Sequence, residues 1–134
     1  MKNRLSRLFV SILAISTFLV ASGFTTVKTI EPLKVYSQTK SSSGKLSSFT
    51  YHISSTAKFD DSGVSRWTFN QSASCAGAQQ VHVSSATTTS TSASGGVYVA
   101  KRKVTAYVYV NPAIAGSPTA NFTYTFDNNT KTWR

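Results

Sequence analysis

A two-residue alternation constrains this chain more than any other feature, because no helix can use it. In "LSSFTYHISS" Phe49, Tyr51 and Ile53 fall on one face, and Ser48, Thr50, His52 and Ser54 on the other. "VSRWTFNQ" sets Trp67 and Phe69 against Val64, Arg66, Thr68 and Asn70. "ANFTYTFD" sets Phe122, Tyr124 and Phe126 against Asn121, Thr123 and Thr125. Val104, Ala106, Val108 and Val110 share a face, with Thr105, Tyr107 and Tyr109 opposite. Aromatic and β-branched residues at period two are the mark of half-buried strands. No window carries a helical stripe. Turn-forming stretches separate the runs: "DDSG" at Asp60 to Gly63, "NPAIAGSP" at Asn111 to Pro118 and "DNNT" at Asp127 to Thr130. Short strands between such turns predict an all-β domain, a single antiparallel β-sandwich or small barrel.

The stretch "SSATTTSTSASGG", Ser84 to Gly96, has nine Ser or Thr among thirteen residues and no charge. A linker needs a folded domain on each side, and neither flank is long enough. The alternation begun at Val81 and Val83 is expected to continue through Ser85, Thr87, Thr89 and Thr91, with "SASGG" (Ser92 to Gly96) as a hairpin turn. A mobile loop is the alternative.

The N-terminus follows different rules. "MKNRLSR" is basic, "LFVSILAISTFLVA" is a short apolar run, and "ASGF" supplies small residues. That order reads as a secretory signal peptide over residues 1–23, cut after Gly23, with Ala21 as the near alternative. Residues 24–45 read as a flexible basic lead-in that holds at most a short strand at "LKVYS", and residues 46–134 as the β-sandwich domain. The chain is therefore expected to be secreted, with possible retention at the cell wall.

The sequence has 14 Lys and Arg against 4 Asp and Glu, a net charge of +10. Without Lys2, Arg4 and Arg7, eleven basic residues remain against four acids, a net +7. Such an excess attracts an anionic cell-wall polymer, a glycan or a membrane surface. Export makes nucleic acid the least natural partner. The single cysteine, Cys75, rules out an intramolecular disulfide. A disulfide-free exported domain with this leader fits a bacterial source. The reading is a monomer, with a Cys75-linked dimer as the other possibility.

Few residues suit catalysis. Cys75 with His52 or His82 lacks any cysteine-hydrolase pattern around "SASCAGAQQ". The same three residues lack the close pairing of zinc ligands. Asp60, Asp61 and Asp127 stand in turns and Glu31 in the lead-in, which leaves no carboxylate pair for acid–base work. The expectation is no enzyme, no metal and no cofactor.

What remains is Lys101-Arg102-Lys103, inside the most β-prone run of the chain. Three adjacent charges are expected only at a sheet edge, at a bulge or where a strand leaves its sheet. There they block edge-to-edge aggregation, contact an anion, or both. The candidate ligand-binding residues are Lys101, Arg102 and Lys103 with Tyr98 and Tyr107. Two functions follow. One is a secreted cationic binding protein of anionic envelope polymers or glycans. The other is a bacteriocin-like antimicrobial or membrane-active toxin. A membrane-spanning strand needs an apolar face, and Ser84 to Ser94 offers only Ala86 and Ala93.

Overall fold

A computed structural model of the chain describes residues 33–61 and 66–134. The expected signal peptide, the lead-in as far as residue 32 and the Ser62–Gly63 part of the expected turn lie outside the described residues. The described chain is all strand and turn. The first antiparallel sheet contains β1 (Val35–Leu46), β2 (Phe49–Asp60) and β3 (Arg66–Cys75) in that order. The second contains β4 (Gln80–Ser94), β5 (Val97–Asn111), β7 (Thr119–Asp127) and β8 (Thr132–Trp133) in that order, with β6 (Ile114–Gly116) also pairing with β5. The sheets stay separate, so the expected alternative of a barrel does not form.

Residues 35–45, expected within a flexible lead-in, are strand. β1 pairs with β2 without interruption from Val35↔Asp60 to Leu46↔Phe49. Its run of Ser, Thr and Lys hid the strand from a hydrophobic pattern. The inward row on β1 is nonetheless Tyr36, Gln38, Lys40, Ser42, Gly44 and Leu46, with only two large apolar members. The hairpin closes on Ser47 and Ser48, and Ser47 takes the positive φ of 58° that a tight two-residue connection needs at its first position.

The β4–β5 hairpin also turns on two residues, tighter than the expected five. Gly95 and Gly96 have φ of 57° and 80°, the two positive values of a type I′ turn. Gly96 is required for a second reason: a Cβ there would stand 2.5 Å from Asn129 Nδ2. Asn129 in turn donates to Gly95 O at 2.8 Å, which ties the β7–β8 turn to this one.

The alternation expected along β4 is broken twice. The register skips Ser84 and Thr89, one extra residue each. Each bulge reverses the phase that follows. Ala86, Thr88, Thr91 and Ala93 therefore face inward opposite Val104, Arg102, Ala100 and Tyr98, while Ser85 and Thr87 face out. The extra residues spend their hydroxyls on β5: Ser84 Oγ donates to Thr105 O at 3.1 Å, and Thr89 Oγ1 to Lys101 O at 3.3 Å.

Between the sheets lies an aliphatic and aromatic core in two clusters, one around Ile53, Val104 and Tyr124 and a smaller one of Cys75, Val108 and Val110. Ile53, Ala57 and Phe59 come from β2, Ala100, Val104, Ala106 and Val108 from β5, and Ala120, Phe122, Tyr124 and Phe126 from β7. The predicted faces of β2, β5 and β7 are the observed ones. Phe59 meets Trp67, Tyr98 and Phe126 at ring distances of 5.1, 4.9 and 4.6 Å. Trp133 joins this cluster half-buried, at 5.9 Å from Trp67 and 5.1 Å from Phe126.

Candidate functional site

β5 is an interior strand, so of the three settings expected for the charge triplet the edge is excluded, while a bulge does lie opposite Lys101 and Arg102, on β4. Lys101 is flanked by Ser90 and Thr123, Arg102 by Thr88 and Phe122, and Lys103 by Thr87 and Asn121. The strand itself is unbroken, since the bulge at Thr89 belongs to its neighbour. The charges are accommodated by splitting them. Lys101 and Lys103 point outward and are exposed, while Arg102 points between the sheets.

The five candidate residues therefore do not form one site. Lys101, Lys103 and Tyr107 share the outer face. Tyr98 packs inside against Phe59. Arg102 lies over the Phe69 ring at 4.7 Å and donates from Nη1 to Thr88 Oγ1 at 2.9 Å. Its aliphatic stem and flat guanidinium fit beside a ring at low cost. Burial pulls the Arg102 guanidinium below its ordinary value, and the neighbouring Tyr124 phenol acts the other way. Burial also raises the Tyr124 phenol, against the opposing effects of its bond to Ser55 and the charge of Arg102.

From Lys101 onward the outer face of β5 is polar and aromatic. Its central row is Lys101, Lys103, Thr105, Tyr107 and Tyr109. Ser90 and Thr123 flank Lys101, Thr87 and Asn121 flank Lys103, and Ser85 and Thr119 flank Thr105. Thr105 and Thr119 share a hydroxyl bond of 2.9 Å. His82 pairs with Tyr107, their rings 5.4 Å apart. Sequence reasoning missed His82 and Tyr109 as members of this face. The parity of β5 already put Tyr109 with Tyr107, but only the register brings His82 alongside.

No carboxylate stands in these rows. Asp60 ends β2 in the other sheet. Asp61 pairs with Lys131 at 3.6 Å. Asp127 is buried and bound to Arg134. The two lysines repeat every second residue, about 6.6 Å apart along the strand. Hydroxyls and amides surround them at the same period. Such a surface offers an extended anion two point charges in line, many neutral hydrogen-bonding groups and aromatic edges.

A second feature lies at the opposite sheet. An open depression of 580 Å³ is lined by Ser48, Phe49, Thr50, His52, Ser74, Cys75 and Ala76. Both His52 and Cys75 contribute to its lining. The Cys75 thiol is buried and directed to Ala76 O at 3.9 Å. Among the described residues no three His, Cys, Asp or Glu side chains gather as a metal site would require.

No family model, no curated protein and no solved structure matches this chain, so the chemistry of its own surface carries the functional reading.

Proposed function

We propose that the chain is an exported, non-catalytic binding protein that holds an anionic envelope polymer or glycan on the outer face of its second sheet. The observation that carries this reading is the shared outward phase of Lys101 and Lys103, with Tyr107 on the same row and no carboxylate in the flanking rows. Lysine contacts phosphate or carboxylate as a compact charge, and tyrosine offers a ring to a sugar or polyol edge. The neighbouring hydroxyls suit a polymer that is part charge and part alcohol. The leader-like order of residues 1–23 supports export, and the net charge of +7 that remains without Lys2, Arg4 and Arg7 supports an anionic partner.

The test is co-sedimentation of the purified chain with anionic cell-wall polymer at low and high salt. Binding through exposed lysines weakens as the screening length falls from about 30 Å at 0.01 M to about 3 Å at 1 M salt. Retention that is indifferent to salt contradicts the proposal. The membrane-active reading stands second, because the far half of β4 carries Ser and Thr on both faces. Salt-sensitive release of dye from anionic liposomes would reverse that order.

A further inference from the structure

Most of β7 has a strand on one side only. β5 pairs with it along its whole length, from Thr119 to Asp127. On the other side β8 covers Phe126 and Asp127, and the Arg134 N–H donates to Thr125 O at 2.9 Å. Two bonds beyond β5 fix which way the rest of β7 points. Lys101 O accepts from Thr89 Oγ1 and Thr105 O from Ser84 Oγ, so both carbonyls face β4. In an antiparallel ladder, opposite residues exchange both backbone bonds or neither, in alternation. Thr123, opposite Lys101, and Thr119, opposite Thr105, therefore turn their N–H and C=O groups away from β5. Asn121, midway between them, shares their phase, as does Thr125 with its bond to Arg134. The result is an open edge over Thr119, Asn121 and Thr123.

That edge suits strand pairing. "TANFTYTF", Thr119 to Phe126, has no charge and no proline, and its aromatic and Thr residues favour extended chain. Proteins guard such edges with bulges, prolines or charges. The other edge of this sheet, β4, carries two bulges. On β7 the charge comes from the opposite sheet. Lys40, half-buried on the inward row of β1, donates from Nζ to Thr123 O at 2.6 Å. Its ammonium lies 5.6 Å from the Tyr124 ring centre. The ion pairs between described residues, Lys131–Asp61 and Arg134–Asp127, leave Lys40 out. Its partners are thus an edge carbonyl and a ring.

We propose that Lys40 guards the open edge of β7 against a second copy of this chain, and that without the charge two copies pair β7 to β7, antiparallel about Asn121. The strand is self-complementary in that arrangement. Asn121 meets its own counterpart, and Thr123 meets Thr119 of the second copy, all with outward backbone groups. With Lys40 in place the Thr123 carbonyl is taken. Each copy would also bring an ammonium into the seam, where it loses water and meets no carboxylate. The surface is separate from the outer face of β5 and does not depend on the polymer reading.

The experiment is sedimentation of the purified chain over a concentration series, for the parent and four variants. The parent should stay monomeric. Lys40→Met, which keeps the length of the side chain, should dimerise at concentrations at least about tenfold lower than the parent does. Lys40→Arg keeps the charge and should behave as the parent. Lys45→Met removes an exposed outer-face charge and should do so too. Adding Asn121→Pro to Lys40→Met should restore the monomer, because proline removes a donor that β5 does not use. Amide exchange reads the same edge without any substitution. In the parent the Asn121 and Thr123 N–H groups should exchange fast and that of Phe122 slowly, and in the Lys40→Met dimer all three slowly. A Lys40→Met chain as monomeric as the parent overturns the proposal. So does association that matches in Lys45→Met or Lys40→Arg, or that survives Asn121→Pro. Slow exchange of Asn121 and Thr123 in the parent monomer would show that the edge is not open, and overturns it as well.

Discussion

Phe59 touches rings from three other strands, Trp67 on β3, Tyr98 on β5 and Phe126 on β7. Phe59→Ala therefore opens a cavity where the sheets meet, and urea unfolding should show a loss of about 3–5 kcal/mol. Asp127 makes a different contribution. Desolvation alone would raise its carboxyl, but the Asn129 N–H, the Arg134 guanidinium and the Thr130 N–H together hold it below its ordinary value. A depressed acid stabilises the fold fully above its unfolded value, about 3.9, and loses that contribution as pH falls through the lower folded value. Thermal midpoints of the parent and of Asp127→Asn should thus differ at pH 7 and converge in strong acid. A constant gap would show that the carboxylate charge is not what matters. Cys75 belongs to this scale too. Its thiol is buried, so a thiol reagent should react slowly with the folded chain and at once after denaturation.

At the scale of elements, the β4–β5 hairpin rests on its turn. Gly96 combines a φ of 80° with close approach to Asn129. Gly96→Ala should cost more than about 1 kcal/mol, read as a lower denaturation midpoint with faster amide exchange near the turn. Strands whose apolar residues alternate were legible in sequence: β2, β3, β7 and the near half of β5 each display a row of aromatic or branched side chains. β1 was not, and on the far half of β4 the strand was legible but its faces were not, because Ser and Thr mark neither face. The bulges at Ser84 and Thr89 were invisible for that reason, since a phase change shows only when large apolar residues switch parity. The charge triplet misled in a different way. Three adjacent charges argued for an edge, a bulge or a strand leaving its sheet, but an arginine can turn inward in mid-sheet when Phe69 and Thr88 receive it.

Among the described residues, the molecule separates its charges along the strands. The described carboxylates lie at the ends of β2 and β7, tied to turns and neighbouring cations, while β5 presents Lys101 and Lys103 outward in mid-sheet. The first sheet supplies an internal control, for Lys45 and Lys58 are also exposed on its outer face. The most direct measurement compares Lys101→Glu/Lys103→Glu with Lys45→Glu/Lys58→Glu in binding to anionic cell-wall polymer at low salt. Both double variants change the net charge equally. If the second sheet is the binding face, the first pair loses at least about tenfold in affinity, roughly 1.4 kcal/mol, and the second pair far less. Equal losses would mean that total charge alone draws the polymer, and would contradict the assignment of a site to β5.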